Sequence, residues 1–412
     1  MNVYNTFSQR GFIAQCTHEE ELAALFAREQ GLGYIGFDPT ATSLHVGSLI
    51  PILSLMHLQR EGHRPIAVVG GGTGMIGDPS GKAEIRNLLT LEQIQANALA
   101  IKDQLSRFLD FSPGWAILVN NADWLVPLNY IEFLRDAGRF FSVNRMLAAE
   151  SVKLRLEQEQ GLSFLEFNYA LLQAYDFMHL AKTLDCRLQM GGNDQWGNIV
   201  AGVDLTRRML GKQVYGLTFP LITTSTGAKM GKTAAGAVWL DPARTPVYDF
   251  YQYWVNTTDE DVIRFLKLFT FLPMTIIGEL SILQGAELRE AKQALAFEVT
   301  KTVHGEAEAK DAQAAALAAF GGPEEGGAEG VPTTAVARAR LEAGVPAFQL
   351  FVETGLCSSS SAARRLVAGG GAYVGETRLT AFDQPITLAR ADDAGVLWLR
   401  AGKKKHHRVV AR

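Results

Sequence analysis

Apolar positions in the first half of the chain follow two alternating rhythms. Residues 19–30 repeat at helical spacing, and Gly33-Tyr34-Ile35-Gly36-Phe37-Asp38 then reads as a short buried strand ended by Pro39. A helix is predicted from about Ser48 to Glu61, with Pro51 tolerated because it falls in the first turn. Pro65-Ile66-Ala67-Val68-Val69 and Trp115-Ala116-Ile117-Leu118-Val119 read as two further buried strands. Residues 127–185 read as mostly helical before Arg187-Leu188-Gln189-Met190 returns to strand. Strands alternating with helices predict an α/β fold, a doubly wound parallel sheet with helices on both faces. The long helical stretch then reads as an insertion into that sheet.

After Lys232 the rhythm changes. Segments 245–256, 259–271 and 287–304 read as helices without strands between them, and an alanine-rich piece runs into Gly321-Gly322-Pro323-Glu324-Glu325-Gly326-Gly327-Ala328-Glu329-Gly330, which has linker composition. Residues from about 345 to 412 mix helix and strand, and no internal repeat is visible. A chain of 412 residues needs more than one core, and 47% hydrophobic with 20% charged residues excludes a disordered or fibrous chain. Met1-Asn2-Val3-Tyr4-Asn5-Thr6 opens no apolar signal run and no stretch approaches a membrane span, so no membrane partner is expected. Cys16, Cys186 and Cys357 form no Cys-x-x-Cys pair, which argues against a disulfide framework or zinc knuckle and fits a reducing cytoplasm. The net charge of −4 conceals an asymmetry: residues 331–412 hold 12 Lys/Arg against 6 Asp/Glu, a balance of +6 that leaves −10 on the remainder. A basic domain on an acidic chain points to a polyanionic partner.

Two short motifs carry the chemistry. His45-Val46-Gly47-Ser48 and Lys229-Met230-Gly231-Lys232-Thr233 supply an imidazole, two lysines, two hydroxyls and flexible glycine backbone. Phosphoryl or nucleotidyl transfer needs that set, because charge grows on phosphate oxygens in the transition state. His45 and Ser48 fall at a predicted helix N-terminus, where backbone N–H groups and the helix dipole attract phosphate. Ser48 stands between two roles, a helix cap or direct contact with ATP. Gly70–Gly77 contains Gly-x-Gly-x-x-Gly at Gly72, Gly74 and Gly77, but a dinucleotide fingerprint would run straight into a helix. Asp78-Pro79-Ser80-Gly81 prolongs the loop instead. It is no P-loop either, since Ile76 stands five residues before Gly81 and Ala83 follows Lys82 where Ser or Thr should stand. A glycine-rich loop at a strand's C-terminal end remains, presenting Asp78 at the usual ligand-binding edge. Tyr169, Gln173 and Asp176 stand at i, i+4 and i+7 and share one helix face, either solvated or a pocket wall suited to an amino acid. Gly191-Gly192-Asn193-Asp194-Gln195-Trp196 is a second glycine-lined polar cluster, or a simple turn.

Together these strings closely resemble bacterial tyrosyl-tRNA synthetases, class I enzymes of translation, over almost the whole chain. Gly36-Phe37-Asp38-Pro39-Thr40, Gly77-Asp78-Pro79-Ser80-Gly81-Lys82, Met190–Ile199 and Lys229–Thr233 carry the resemblance, with Ser359–Val367 and Gly371-Ala372-Tyr373-Val374 near the C-terminus. It implies a Rossmann-like catalytic domain over 1–233, with a helical dimer-interface insertion at about 120–185, and a helical tRNA-binding domain over 234–320. A linker at 321–344 and a small α+β RNA-binding domain over 345–412, of a kind first seen in a ribosomal protein, complete it. It implies that Tyr34 and Asp176 bind the phenol hydroxyl of L-tyrosine, that Asp78, Tyr169 and Gln173 hold its ammonium group, and that Gln195 lies near its carboxylate. Gly36, Asp38, Thr40, His45, Ser48, Gly192, Asp194 and Lys232 are implied as ATP-binding, with Lys82, Arg86 and Lys229 at the phosphates or pyrophosphate. Arg364, Arg365, Lys403, Lys404 and Lys405 are the expected RNA contacts.

The implied reaction is attack of the tyrosine carboxylate on the α-phosphorus of ATP, releasing diphosphate, then transfer of the tyrosyl group to the 3′ end of tRNA(Tyr), releasing AMP. Mg²⁺ accompanies ATP, and neither a protein metal site nor a tightly bound cofactor is expected. A cytoplasmic homodimer is expected. Two departures from the family pattern stand out: Ser48 replaces the second histidine of His-x-Gly-His, and Gly231 and Thr233 replace two serines. Both leave His45 and Lys232 in place. Three rivals are weaker. A tryptophanyl-tRNA synthetase has no use for paired phenol-binding groups, a noncatalytic RNA-binding derivative has no use for His45 and the lysines, and a dehydrogenase fails on the loop after Gly77.

Overall fold

The computed structural model describes residues 2–79, 89–149, 152–153, 163–225, 227, 230–233, 236–321, 331–392, 395–402 and 405–412. They fall into two units, Met1–Arg244 with Arg264–Phe271, and Thr245–Ile263 with Leu272–Arg412. In the first unit the apolar runs become a six-stranded sheet of β1 (Gln15–Cys16), β2 (Leu32–Phe37), β3 (Arg64–Val69), β4 (Ile117–Asn120), β5 (Leu188–Gly192) and β6 (Tyr215–Phe219). Their spatial order is β1-β6-β5-β2-β3-β4, parallel throughout except for β1 on β6. Ile66, Ala67 and Val68 at its centre are at most 1% exposed, as strands covered on both faces require.

Strand order reverses between β2 and β5. The chain leaves β2 towards β3 and β4 on one side, and returns through β5 and β6 on the other. At such a switch point adjacent crossovers diverge and leave a crevice outside the carboxyl ends of the strands. Helix Leu49–Arg60 packs on β2 and β3, and helix Leu91–Leu105, opened by a Thr90/Gln93 capping box, packs on β3. Within 127–185 lie helices Tyr130–Asp136, Val143–Leu147, Phe164–Phe167 and Tyr169–Thr183. The last of these buries Phe177, Leu180 and Ala181 against Tyr34, Ile66 and Val68, so it belongs to the sheet's core. Helix Val3–Arg10, β1, helix Leu91–Leu105, helix Trp196–Leu210 and β6 go unread in the sequence pattern.

The second unit contains helices Val247–Val255, Met274–Leu280, Leu288–His304 and Glu306–Gly321, with Phe250, Tyr251 and Trp254 fully buried. It ends in a five-stranded sheet with Val396–Ala401 at its centre, covered on one face by helices Ala347–Glu353 and Ser360–Ala368. Here the structure corrects the expected linker at 321–344. Strand Thr333–Val336 pairs in parallel with Lys405–Ala411, and helix Arg338–Ala343 places Leu341 in the core at 0% exposure. A four-residue strand beside a Gly/Pro/Glu-rich run has no local signal strong enough to announce a pairing with residues some 70 positions away.

Leu341→Ala is therefore expected to cost about 2–5 kcal/mol, as a buried leucine does. Hydrogen exchange of the Val396–Ala401 strand should accelerate accordingly; unchanged protection would return Leu341 to the linker.

Candidate active site

A cavity of ≈ 240 Å³ opens at the carboxyl ends of β2 and β5. It collects Tyr34, Gly36, Asp38, Asp78, Tyr169, Gln173, Asp176, Gly192, Asp194 and Gln195, so residues separated by up to 161 positions meet at the switch point. Tyr34, Gly36 and Asp38 share one side of β2 and its extension because alternate residues of a strand do. Gly36 is exposed although it lies in a strand, and a Cβ there would meet nothing within 4 Å. Its smallness leaves room beside the strand rather than serving any packing contact of the protein itself.

The closed end of the cavity holds a phenol and a carboxylate. The Tyr34 hydroxyl is buried and has no hydrogen-bond partner among the described residues. Burial, then the charge of Asp176, pushes its pKa well above the usual phenol value. Asp176, 4% exposed, accepts hydrogen bonds from Trp124 Nε1 at 2.7 Å and Asn121 Nδ2 at 3.0 Å. Burial lifts its pKa to about 7, against the opposing pull of those two donors. A carboxylate with two bonds made retains acceptor capacity for another donor. Asn121 also accepts from Gly72 N at 2.8 Å, and Trp124 stacks on His179 with ring centroids 4.5 Å apart. Neither Asn121 nor Trp124 is identified in the sequence; their position just beyond a strand's C-terminal end was the available signal.

The side wall is a chain of amides and carboxylates. Gln195 Nε2 donates to Asp78 Oδ2 at 2.7 Å and to Asp194 Oδ2 at 3.1 Å. Asn198, also missed, donates from Nδ2 to Gln173 Oε1 at 3.0 Å and Gln195 Oε1 at 3.2 Å. The Tyr169 hydroxyl lies 3.4 Å from Asp38 Oδ1, and burial followed by the charges of Asp38, Asp78 and Asp176 raises its pKa strongly. Four carboxylates, Asp38, Asp78, Asp176 and Asp194, line one small cavity and favour a cation there.

His45 and Ser48 bracket a 3₁₀ turn, Val46–Ser48, that leads into helix Leu49–Arg60. The capping role left open for Ser48 goes to His45, whose Nδ1 accepts from Gly47 N at 3.0 Å while the Ser48 side chain makes no cap bond. Gly231, with φ +80°, lies against this turn so closely that a Cβ on it would come within 3.0 Å of Gly47 N. The two signature motifs are therefore in contact through backbone. Lys232 lies in a short strand, Lys232–Thr233, paired with Gly236–Ala237, and Thr40 is exposed beside Asp38. Lys82, Arg86, Lys229, Lys403 and Lys404 lie outside the described residues. After Gly72 the glycine-rich loop makes only a 3₁₀ turn, Thr73–Met75, not the helix of a dinucleotide fingerprint.

In the C-terminal fold, Arg364 lies against Phe348 and Phe382, its guanidinium carbon 5.0 and 4.8 Å from their ring centroids. Arg365 and Lys405 are exposed. Pairing register also places Arg378, Tyr373, Arg400 and His406 side by side across four strands on the sheet face away from the core, with Trp398 opposite Arg408. The Arg400 guanidinium stacks 3.9 Å from the Tyr373 ring centroid.

A parallel sheet with this switch-point cleft, flanked by His45 and the lysine segment, is the architecture of a class I synthetase. The family model for tRNA synthetases class I (W and Y) matches residues 30–321. The tyrosine–tRNA ligase of Desulfatibacillum aliphaticivorans is 59% identical over 100% of this chain and 99% of its own, and that of Desulfosudis oleivorans 56% over 100% and 99%. The C-terminally truncated mitochondrial tyrosyl-tRNA synthetase of Aspergillus nidulans has a similar structure, with TM-score 0.69 and 31% identity over 76% of this chain and 92% of that one. This chain belongs to the class I tRNA synthetases of the W and Y family.

The pKa of Asp176 yields a stability test. Between 3.8 and about 7 the folded chain keeps a proton that the unfolded chain has released, so this group's contribution to stability falls as pH rises through that window. Asp176→Asn removes the titration. Its denaturation midpoint should change less between about pH 4 and pH 8 than that of the unaltered chain; identical pH dependence would show that Asp176 ionises normally.

Proposed function

We propose that this chain is a tyrosine–tRNA ligase, which converts L-tyrosine and ATP to tyrosyl-adenylate and diphosphate and then transfers the tyrosyl group to the 3′ end of tRNA(Tyr). The observation that carries the reading is the buried, unpartnered Tyr34 hydroxyl beside the Asp176 carboxylate. A substrate phenol fits between them: Tyr34 donates to its oxygen, and its own hydroxyl donates to Asp176. Trp124 and Asn121 favour the ionised carboxylate, the form that accepts this bond. An indole offers no oxygen to Tyr34, which disfavours the tryptophan enzyme of the same family.

The remaining roles follow from where charge sits. Asp78, Tyr169 and Gln173 hold the substrate ammonium group, and Gln195 lies near the carboxylate. Gly36, Asp38, Thr40, Ser48, Gly192 and Asp194 bind the nucleotide. His45, Lys82, Arg86, Lys229 and Lys232 meet the phosphates. The tyrosine carboxylate oxygen bonds to the α-phosphorus as the bond to the diphosphate oxygen breaks, and the lysines, Arg86 and His45 stabilise the charge that moves onto the leaving group. Positioning supplies much of the remaining acceleration. Mg²⁺ enters with ATP as part of the substrate.

Three features support the partners. Val126, Ile131, Val143 and Phe164 are each 59% exposed or more on the 120–185 segment, an apolar surface suited to a second copy of the chain. The basic C-terminal fold, with Arg365, Lys405 and the arginine–aromatic sheet face, suits RNA phosphates and bases. Among the described residues no helix is long and apolar enough to cross a membrane, and Cys16, Cys186 and Cys357 are free thiols, as a reducing cytoplasm would keep them.

ATP–pyrophosphate exchange run in parallel with tyrosine, phenylalanine and tryptophan tests the reading, with exchange expected for tyrosine alone. Phenylalanine leaves the Tyr34 hydroxyl desolvated and unpaired, at about 1–3 kcal/mol, and gives Asp176 no third donor beside Trp124 and Asn121. Asp176→Ala should erode the preference for tyrosine over phenylalanine; a preserved preference would sink the pocket assignment.

Removing residues 331–412 should leave pyrophosphate exchange near the intact level while tRNA binding and charging collapse. Loss of exchange together with a lowered melting temperature would instead give that region a merely stabilising role. Normal charging by the shortened chain would refute its RNA-binding role.

A further inference from the structure

We propose that Trp239, with Arg244 stacked on it, is a positioning residue that orients the His45 imidazole towards the ATP phosphates and couples it to the lysine segment. The inference rests on adenylate formation being the first reaction of this site. Leu44–Val46 and Val238–Leu240 run antiparallel, with Val46 N donating to Val238 O and Leu240 N donating to Leu44 O, both at 2.9 Å. That pattern makes His45 and Trp239 a directly opposed, non-hydrogen-bonded pair, the arrangement in which side chains approach most closely. Their rings meet edge to face at 6.0 Å between centroids and 71° between planes.

Both rings are held from a second direction. The Arg244 guanidinium carbon lies 3.3 Å from the centroid of the Trp239 ring, a close cation–π contact that restricts how that ring turns. His45 Nδ1 accepts from Gly47 N, which makes Nδ1 the unprotonated nitrogen of the neutral ring and places the proton on Nε2. Gly47 thus sets the tautomer and Trp239 the orientation. Trp239 is only half-buried and Arg244 is exposed, so neither is placed mainly to fill a core.

The same stretch also grips the lysine motif. Val238 N donates to Gly231 O at 2.9 Å, and Gly236–Ala237 pairs with Lys232–Thr233. Residues 236–240 are therefore bonded to the lysine motif on one side and to the histidine motif on the other. A shift of either motif reaches the other through the backbone that carries Trp239.

A double-mutant cycle in the full chain decides the matter, using single-turnover adenylate formation, the tyrosine dissociation constant and the melting temperature. Trp239→Leu should slow the forward step by about tenfold to a hundredfold, the scale of a small misplacement, and leave tyrosine affinity within about twofold. Trp239→Phe should restore most of the rate, and Arg244→Gln should show a smaller loss of the same kind. In a His45→Ala background, Trp239→Leu should add less than about twofold, because it acts through an imidazole no longer present. Losses that multiply in the double variant would overturn the proposal, as would a fall in tyrosine affinity and melting temperature parallel to the rate. An unimpaired forward step in His45→Ala alone would remove the underlying role of that imidazole, and this proposal with it.

Discussion

One carboxamide ties together the functional edge of the sheet. Asn121, 1% exposed just beyond β4, accepts from Gly72 N and Thr73 N, and donates to Thr73 Oγ1 and to Asp176 Oδ2. Three elements distant in sequence converge on it: the end of a strand, the glycine-rich loop and the helix Tyr169–Thr183. Its two ends are not interchangeable, because a rotated amide would set its NH₂ against backbone N–H groups. That fixed polarity aims a donor at Asp176 and helps a carboxylate keep its charge where burial works against it. The chemistry at the cavity floor therefore depends on a residue whose own task is to hold loop and helix at one distance.

The parts of the fold visible in the sequence are those whose signal is local. Apolar runs mark β2, β3, β4 and β5, with β3 buried along nearly its whole length and β4 half-buried at the sheet edge. Tyr215–Phe219 is equally buried yet goes unread, since a five-residue run containing Gly216 resembles a turn until its neighbours are known. Gly216 is required by the close approach of Ile199, whose Cγ2 would lie 2.4 Å from an added Cβ. The same divide runs through the site. Tyr169, Gln173 and Asp176 are legible because helical spacing alone aligns them, whereas Asn121, Trp124 and Asn198 enter the network only when separate elements meet. The cap falls to His45 and not to Ser48 because a three-residue 3₁₀ turn, too short for periodicity to report, precedes the helix.

The glycine-rich loop shows how one pattern can arise from different causes. In a dinucleotide site the glycines admit a pyrophosphate. Here an added Cβ would strike Thr73 and Asp38 at Gly70, Asn120 at Gly71, and Leu125 and Ala122 at Gly72. The space these glycines leave is filled by the protein's own side chains, two of them polar groups at the cavity. The fingerprint's spacing is present without its function, and the 3₁₀ turn Thr73–Met75 within the motif, where a dinucleotide site opens a helix, is the feature that separates the two.

Gly231 limits the order in which this chain can change. Its φ of +80° lies where side chains are strained, and an added Cβ would come to 3.0 Å from the Gly47 amide nitrogen. The serine of the class pattern cannot simply be restored at this position without displacing the His45 turn. The histidine turn and the lysine motif are therefore constrained to change together, since a side chain gained at Gly231 has to be matched by give in the turn it faces.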